Sequence, residues 1–196
     1  MLINALKTII HPDVAIIVQN HNGQGTVILE ETARDAKLKK VTLRGFDAHQ
    51  TFAFKLDVEG KRISEYFNPA AEKINKSCDG VIFTAIKNEW YVLICELKSK
   101  KPNEAEYVLQ FRNTHVFIKF IGAILEEFYG INFMENCSVR YILFDKQQSN
   151  RYNKTTLKNH KIEPEPIVSD NKTFWVYKVH HLDAYEFINI RHLKLY

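Results

Sequence analysis

The chain has 196 residues, a length that suits one domain, with 45% hydrophobic and 26% charged residues and thirteen Phe and nine Tyr to fill a core. Those proportions exclude a disordered polymer, and no apolar run reaches the roughly 18 residues of a membrane span. The formal net charge of +4 and pI near 8.8 lean mildly toward anionic partners and exclude little else.

Residues 2–10 predict a short helix, ended by Pro12. Residues 13–20 predict a strand and "HNGQGT" (21–26) a turn. The GxG there lacks the third glycine and the following helix of a dinucleotide loop. Residues 26–31, 39–46 and 51–58 predict strands. In the last, Phe52, Phe54, Leu56 and Val58 alternate with other residues, the pattern of a half-buried strand. Residues 60–77 predict a helix or a loop and helix, broken at Pro69. The chain thus divides into a strand-rich N-terminal part, 1–60, and a core, 61–182, within one domain.

Two apolar runs fill "CDGVIFTAIKNEWYVLICELKSKK" (78–101) and predict a hairpin with its turn near "KNEW". The clearest helix spans 103–130. Asn103 is its N-cap, Glu104 and Glu106 lie in its first turn, and Gly130 ends it. Its apolar positions are Tyr107, Val108, Phe111, Val116, Phe117, Phe120, Ile121, Ile124, Leu125 and Phe128. A strand over 137–146 follows, and strand, long helix, strand suggests a crossover unit. Residues 146–161 are polar, with five basic side chains and no acidic one. "EPEP" closes that stretch, a strand follows at 173–182, and a short helix from 183 leads into a polar tail.

Cys78, Cys95 and Cys137 are odd in number and lack metal-ligand spacing. With no apolar leader at the start, they read as reduced core thiols in a cytoplasmic protein. His180 and His181 are strand neighbours that point to opposite faces, which argues against a shared metal.

The chemistry concentrates at one end of the hairpin. With Asn88–Glu89 as a two-residue loop, Asp79 faces Lys98 and Val81 faces Glu96, so Asp79, Glu96 and Lys98 share one face. Cys78, Cys95 and Leu97 then point away into packing. A four-residue loop keeps that parity, and a one-residue slip destroys it. Two neighbouring carboxylates repel unless a cation lies between them. Oxygen donors, with the Leu97 carbonyl as a third, favour Mg²⁺ or Mn²⁺, which supports hydrolysis at a phosphoryl group.

Asp79 followed by Glu96-Leu97-Lys98 at the end of an apolar strand resembles the PD-(D/E)XK nuclease superfamily. Sixteen residues separate Asp79 from Glu96, as a hairpin requires, and Cys78 stands where many members have Pro. The resemblance covers about residues 76–146. It implies an α/β (α+β) restriction-endonuclease-like fold: a mixed sheet core flanked by helices in the order αβββαβ, here with a strand-rich N-terminal extension. It also implies a Mg²⁺-dependent DNA endonuclease or exonuclease, of restriction, repair, recombination or defence, in which Asp79, Glu96, Lys98 and Gln110 are catalytic. Gln110 matches a Gln carried by members resembling RecB and phage exonucleases; the Tyr four residues on is Thr114 here. A further Glu from the first helix would be Glu65 or Glu72. Lys100, Lys101, Lys146, Arg151, Lys154 and Lys158 are the expected phosphate contacts. Nothing in the residues separates DNA from RNA, and a homodimer is compatible with cutting two strands. The alternative is an inactive nuclease-fold module that binds nucleic acid or a protein partner.

Overall fold

A computed structural model describes residues 1–31, 35–58, 66–68, 70–71, 73–146, 161–180 and 187–195. The chain is a mixed α+β structure built on two sheets. Helix α1 (Leu2–Ile9) leads into strands β1 (Ala15–Ile16), β2 (Gln19–His21), β3 (Gln24–Glu30), β4 (Lys40–Asp47) and β5 (Thr51–Lys55). The predicted hairpin is β6 (Gly80–Ile86) and β7 (Glu89–Lys98). Helix α2 (Glu104–Tyr129), β8 (Cys137–Asp145), β9 (Glu165–Ser169), β10 (Lys172–His180) and β11 (Phe187–Asn189) complete the described elements.

The larger sheet runs β1-β5-β6-β7-β8-β10-β9 and the smaller one β11-β4-β3-β2. Both are mixed. In the larger, β7, β8 and β10 are parallel and the other pairs antiparallel. Helix α2 supplies the long crossover that a parallel β7–β8 pair needs. One face of the larger sheet packs on α1 and α2, through Phe54, Val81, Phe83, Val92, Ile94, Leu143 and Val176. The other packs on the smaller sheet, through Ala53, Ile82, Tyr91, Leu93, Cys95, Leu97, Ile142 and Phe144. Covered on both sides, β5 is buried from Thr51 to Phe54 rather than on alternate residues. The contact between sheets is tight at Gly80, where a Cβ would come 2.7 Å from Leu29 Cδ2.

Several expectations need correction. The hairpin turns at Lys87–Asn88, both at positive φ (51° and 67°), the geometry of a type I′ turn. Gly80 therefore pairs with Cys95 and Val81 with Ile94, so Val81 does not face Glu96. The register moves by two residues, which keeps the parity. Residues 13–20 hold a 3₁₀ turn and two short strands rather than one strand. Strand β9 begins within "EPEP", at Glu165, and the C-terminal stretch gives β11 and buries Ile190, Leu193 and Leu195. The stretch 59–65 and residues 147–160 and 181–186 lie outside the described residues.

Helix α2 follows its caps. The Asn103 side chain accepts from the Ala105 N–H at 3.1 Å, and Gly130 adopts φ 62° in the left-handed region. Its apolar face is wider than its core: Val116, Phe120 and Phe128 are exposed. Among the described residues no helix is long and apolar enough to cross a membrane.

Candidate active site

On β7 the residues facing α2 are Val92 and Ile94, and the period-two alternation of a strand puts Glu96 and Lys98 in the same row. The apolar row thus turns charged where the strand reaches the first turns of α2. Glu96 is 2% exposed, and its Oε1 lies 2.8 Å from Lys98 Nζ. Its Oε2 is buried with no hydrogen-bond partner. The Gln110 amide and the Asp79 N–H favour the Glu96 anion without satisfying that oxygen. Burial is the dominant effect on Glu96 and raises its pKa, against the pull of Lys98.

Asp79 sits where β6 begins. Its Oδ2 accepts from the Leu97 N–H at 2.6 Å, which ties the two strand ends together. Burial first, then the Glu96 carboxylate, push its pKa well above the ordinary range. Two carboxylates and one ammonium are thus confined together. Lys98 holds the charge on Glu96, and Asp79 is the group driven toward its protonated form.

Lys98 itself is tightly placed. Nζ donates to Gln110 Oε1 at 2.9 Å and reaches Glu106 Oε1 at 3.5 Å. Burial works to lower its pKa, but Glu96, Glu106 and Asp79 outweigh it and leave it raised. Gln110 also donates from Nε2 to the Ser77 carbonyl at 3.0 Å, joining α2 to the approach to Asp79. Thr114, one turn further on, is fully buried, and its Oγ1 accepts from the Cys78 N–H at 3.0 Å. The departure from Tyr at this position therefore leaves a residue that fixes the backbone beside Asp79. Cys78 packs in the α2-side core, not away from it as expected, whereas Cys95 and Leu97 pack toward the smaller sheet.

Other expected residues fall differently. Lys100, Lys101 and Lys146 are exposed just beyond the ends of β7 and β8. Arg151, Lys154, Lys158, Glu65 and Glu72 lie outside the described residues. Ser99, next to Lys98, accepts from the N–H groups of Lys37 and Leu38, each at 2.9 Å, and anchors the loop before β4.

Sequence reasoning missed two groups. Asp145, at the end of β8, is 1% exposed, and its Oδ1 lies 2.7 Å from His180 Nδ1 at the end of β10. In register, Lys98, Asp145 and His180 stand side by side across three strands. The signal was present: like Glu96, Asp145 ends an apolar strand. Asp57, after β5, is the second. Partial burial and then Glu31 raise its pKa, with Lys98 opposing, so more carboxylates gather at this end of the sheet.

Among the described residues no three His, Cys, Asp or Glu side chains gather closely enough to hold an ion by themselves. The donor set available is Asp79, Glu96 and a main-chain carbonyl such as that of Leu97. It consists of hard oxygens, and it includes a buried carboxylate oxygen with nothing bonded to it. Those features fit a small divalent cation. Comparison of the chain with protein-family models, with curated proteins and with solved structures finds no match.

Proposed function

We propose that the chain is a Mg²⁺- or Mn²⁺-dependent nuclease of the PD-(D/E)XK type, acting on DNA. The observation that carries this reading is the buried Glu96 with an unpartnered Oε2, held beside Asp79 and Lys98. A buried carboxylate without a full set of partners is costly, and proteins retain such groups where a ligand completes them. The order α1, then β5-β6-β7 antiparallel, α2 and parallel β8 supports a restriction-endonuclease-like core, with β1–β4 lying between α1 and β5 in the chain.

Asp79 and Glu96 would hold the cation, with the Leu97 carbonyl as a third oxygen. When bound, a divalent cation supplies Lewis acidity at a phosphoryl oxygen and lowers the pKa of a water. Lys98 is the chain's own cation at the site. Its ammonium orients an attacking water and offsets negative charge that builds on the phosphate in the transition state. Gln110 and Glu106 keep that ammonium in place, which limits reorganisation during the reaction. Gln110 and Thr114 together position the 77–79 backbone.

The test is cleavage of supercoiled plasmid, single-stranded DNA and RNA in Mg²⁺, in Mn²⁺ and in chelator. Metal-dependent nicking that falls by about two orders of magnitude or more in Lys98→Ala supports the reading. An intact, folded protein that binds DNA and cuts nothing supports the inactive-module alternative. The cellular pathway and a homodimer stay part of the proposal, tested by which substrate is cut and by sedimentation.

A further inference from the structure

Beyond the site, α2 borders a second feature. A cleft of about 650 Å³ lies between the outer side of α2, the β9–β10 turn and residues 73–74. Lys73, Arg112, Lys119 and Lys172 line it, together with His115. Among the described residues its one carboxylate is Asp170, which Arg112 engages in an ion pair. Three exposed lysines therefore converge beside a single lining carboxylate that Arg112 already engages. The floor is aromatic: Tyr141 and Phe174 pack with ring centroids 5.5 Å apart, and the Tyr141 hydroxyl lies 2.6 Å from His115 Nδ1. His115 senses the field, since burial and then Lys119 and Lys172 lower its pKa.

The cleft and the site share a wall. Asn113 donates from Nδ2 to the carbonyls of Lys73 and Lys76, so the 73–78 segment lies along α2. Lys73 enters the cleft at one end of that segment. At the other, Lys76 Nζ is 3.8 Å from Glu106, and Ser77 bonds Gln110. Gln110 and Asn113 are one helical turn apart, about 5 Å along the axis. Residues 73–77 thus link the Gln110 side of the site to the cleft along one turn of α2.

We infer that this cleft binds the sugar–phosphate backbone of a nucleic-acid strand continuing from the Asp79–Glu96–Lys98 centre, with Lys73, Lys119 and Lys172 as phosphate contacts. The inference rests on the nuclease reading for the direction of the strand, and on the cleft's own charge for the ligand class. The volume suits a nucleotide unit rather than a bare phosphate, and a positively charged groove that tracks the backbone is how strands are held without sequence preference. A free mononucleotide carries the same phosphate chemistry, and the experiment separates the two.

The measurement is fluorescence anisotropy of a labelled single-stranded oligonucleotide over a salt series in chelator, where cleavage is absent. The proteins are wild type and the triple variant Lys73→Ser, Lys119→Ser, Lys172→Ser. All three lysines are exposed, and a thermal melt checks the fold. The expected result is a loss of about tenfold or more in affinity for the triple variant. Its log K against log salt slope should be shallower by about 2 than that of wild type. Equal affinity and slope for wild type and triple variant overturn the inference. So does a triple variant that loses binding of a nucleoside 5′-monophosphate, read by the His115 imidazole in NMR, while still holding the strand. Wild type that cuts nothing in Mn²⁺, with the triple variant still losing strand affinity, contradicts the nuclease reading and leaves the cleft assignment standing.

Discussion

The two faces of β7 diverge over its last three residues. Toward the smaller sheet, Tyr91, Leu93, Cys95 and Leu97 stay apolar and buried to the strand's end. Toward α2, Val92 and Ile94 give way to Glu96 and Lys98. Same strand, same depth, opposite chemistry: stability alone would extend the apolar row on both sides, because burying Glu96 with an unpartnered oxygen costs free energy that a leucine would not. The difference teaches where to look for function. The apolar face holds the fold, and the charged face carries a cost that a bound cation would offset.

That contrast sets opposite signs for mutations on the two faces. Leu93→Ala removes a fully buried side chain from the apolar face and should destabilise by about 2–5 kcal/mol, read as a lower urea midpoint with unchanged slope. Near-wild-type stability would show that this face is loosely packed and would weaken the contrast.

Thr114→Ala strips the Cys78 N–H of its acceptor in a buried place. It should cost about 1–3 kcal/mol, and Thr114→Ser should recover most of it. A cleavage loss in Thr114→Ala that Thr114→Ser rescues would show that the hydroxyl also positions Asp79. Asn103→Ala, at the α2 cap, should cost about 1 kcal/mol in the same denaturation assay.

The smallest effect expected has the opposite direction. Asp79 has a raised pKa in the fold, so the metal-free native state binds a proton more tightly than the unfolded chain does. Its contribution to stability is therefore greatest below the ordinary carboxylate range near pH 4 and declines as pH rises toward the raised value. Asp79→Asn removes that decline. In chelator its melting temperature should exceed wild type at pH 7, and the gain should fade by about pH 4. The lost Leu97 N–H contact limits the gain, since Asn still offers an oxygen to it. A variant less stable than wild type at pH 7 would mean that the carboxylate is well satisfied without metal.

Much of this was legible in the residues. Asn103 and Gly130 mark α2 because capping is local chemistry. The grouping of Asp79, Glu96 and Lys98 followed from strand parity, which survives a two-residue error in register. The turn's place near "KNEW" was legible but not which two residues form it, since Lys87 at positive φ carries no sequence signal; tertiary pairing on both sides holds it there. The Asp145–His180 pair joins residues 35 positions apart, and its partner strand could not be placed from pattern alone. Ile190, Leu193 and Leu195 fill the core beside the smaller sheet, although short polar surroundings disguise them. The exposed Val116, Phe120 and Phe128 break the rule in the other direction, and nothing in the fold explains them.

The central claim is that Glu96 is buried as half of a cation site and not as part of the core. Titration calorimetry with Mn²⁺ on wild type, Glu96→Gln and Lys98→Ala tests it without relying on any substrate. The account predicts a binding isotherm for wild type and none for Glu96→Gln, which should fold as well as or better than wild type in chelator. Lys98→Ala should bind Mn²⁺ as tightly or slightly more tightly, because a repelling charge is gone. A Glu96→Gln protein that binds Mn²⁺ as wild type does, or a wild type that binds none, contradicts it.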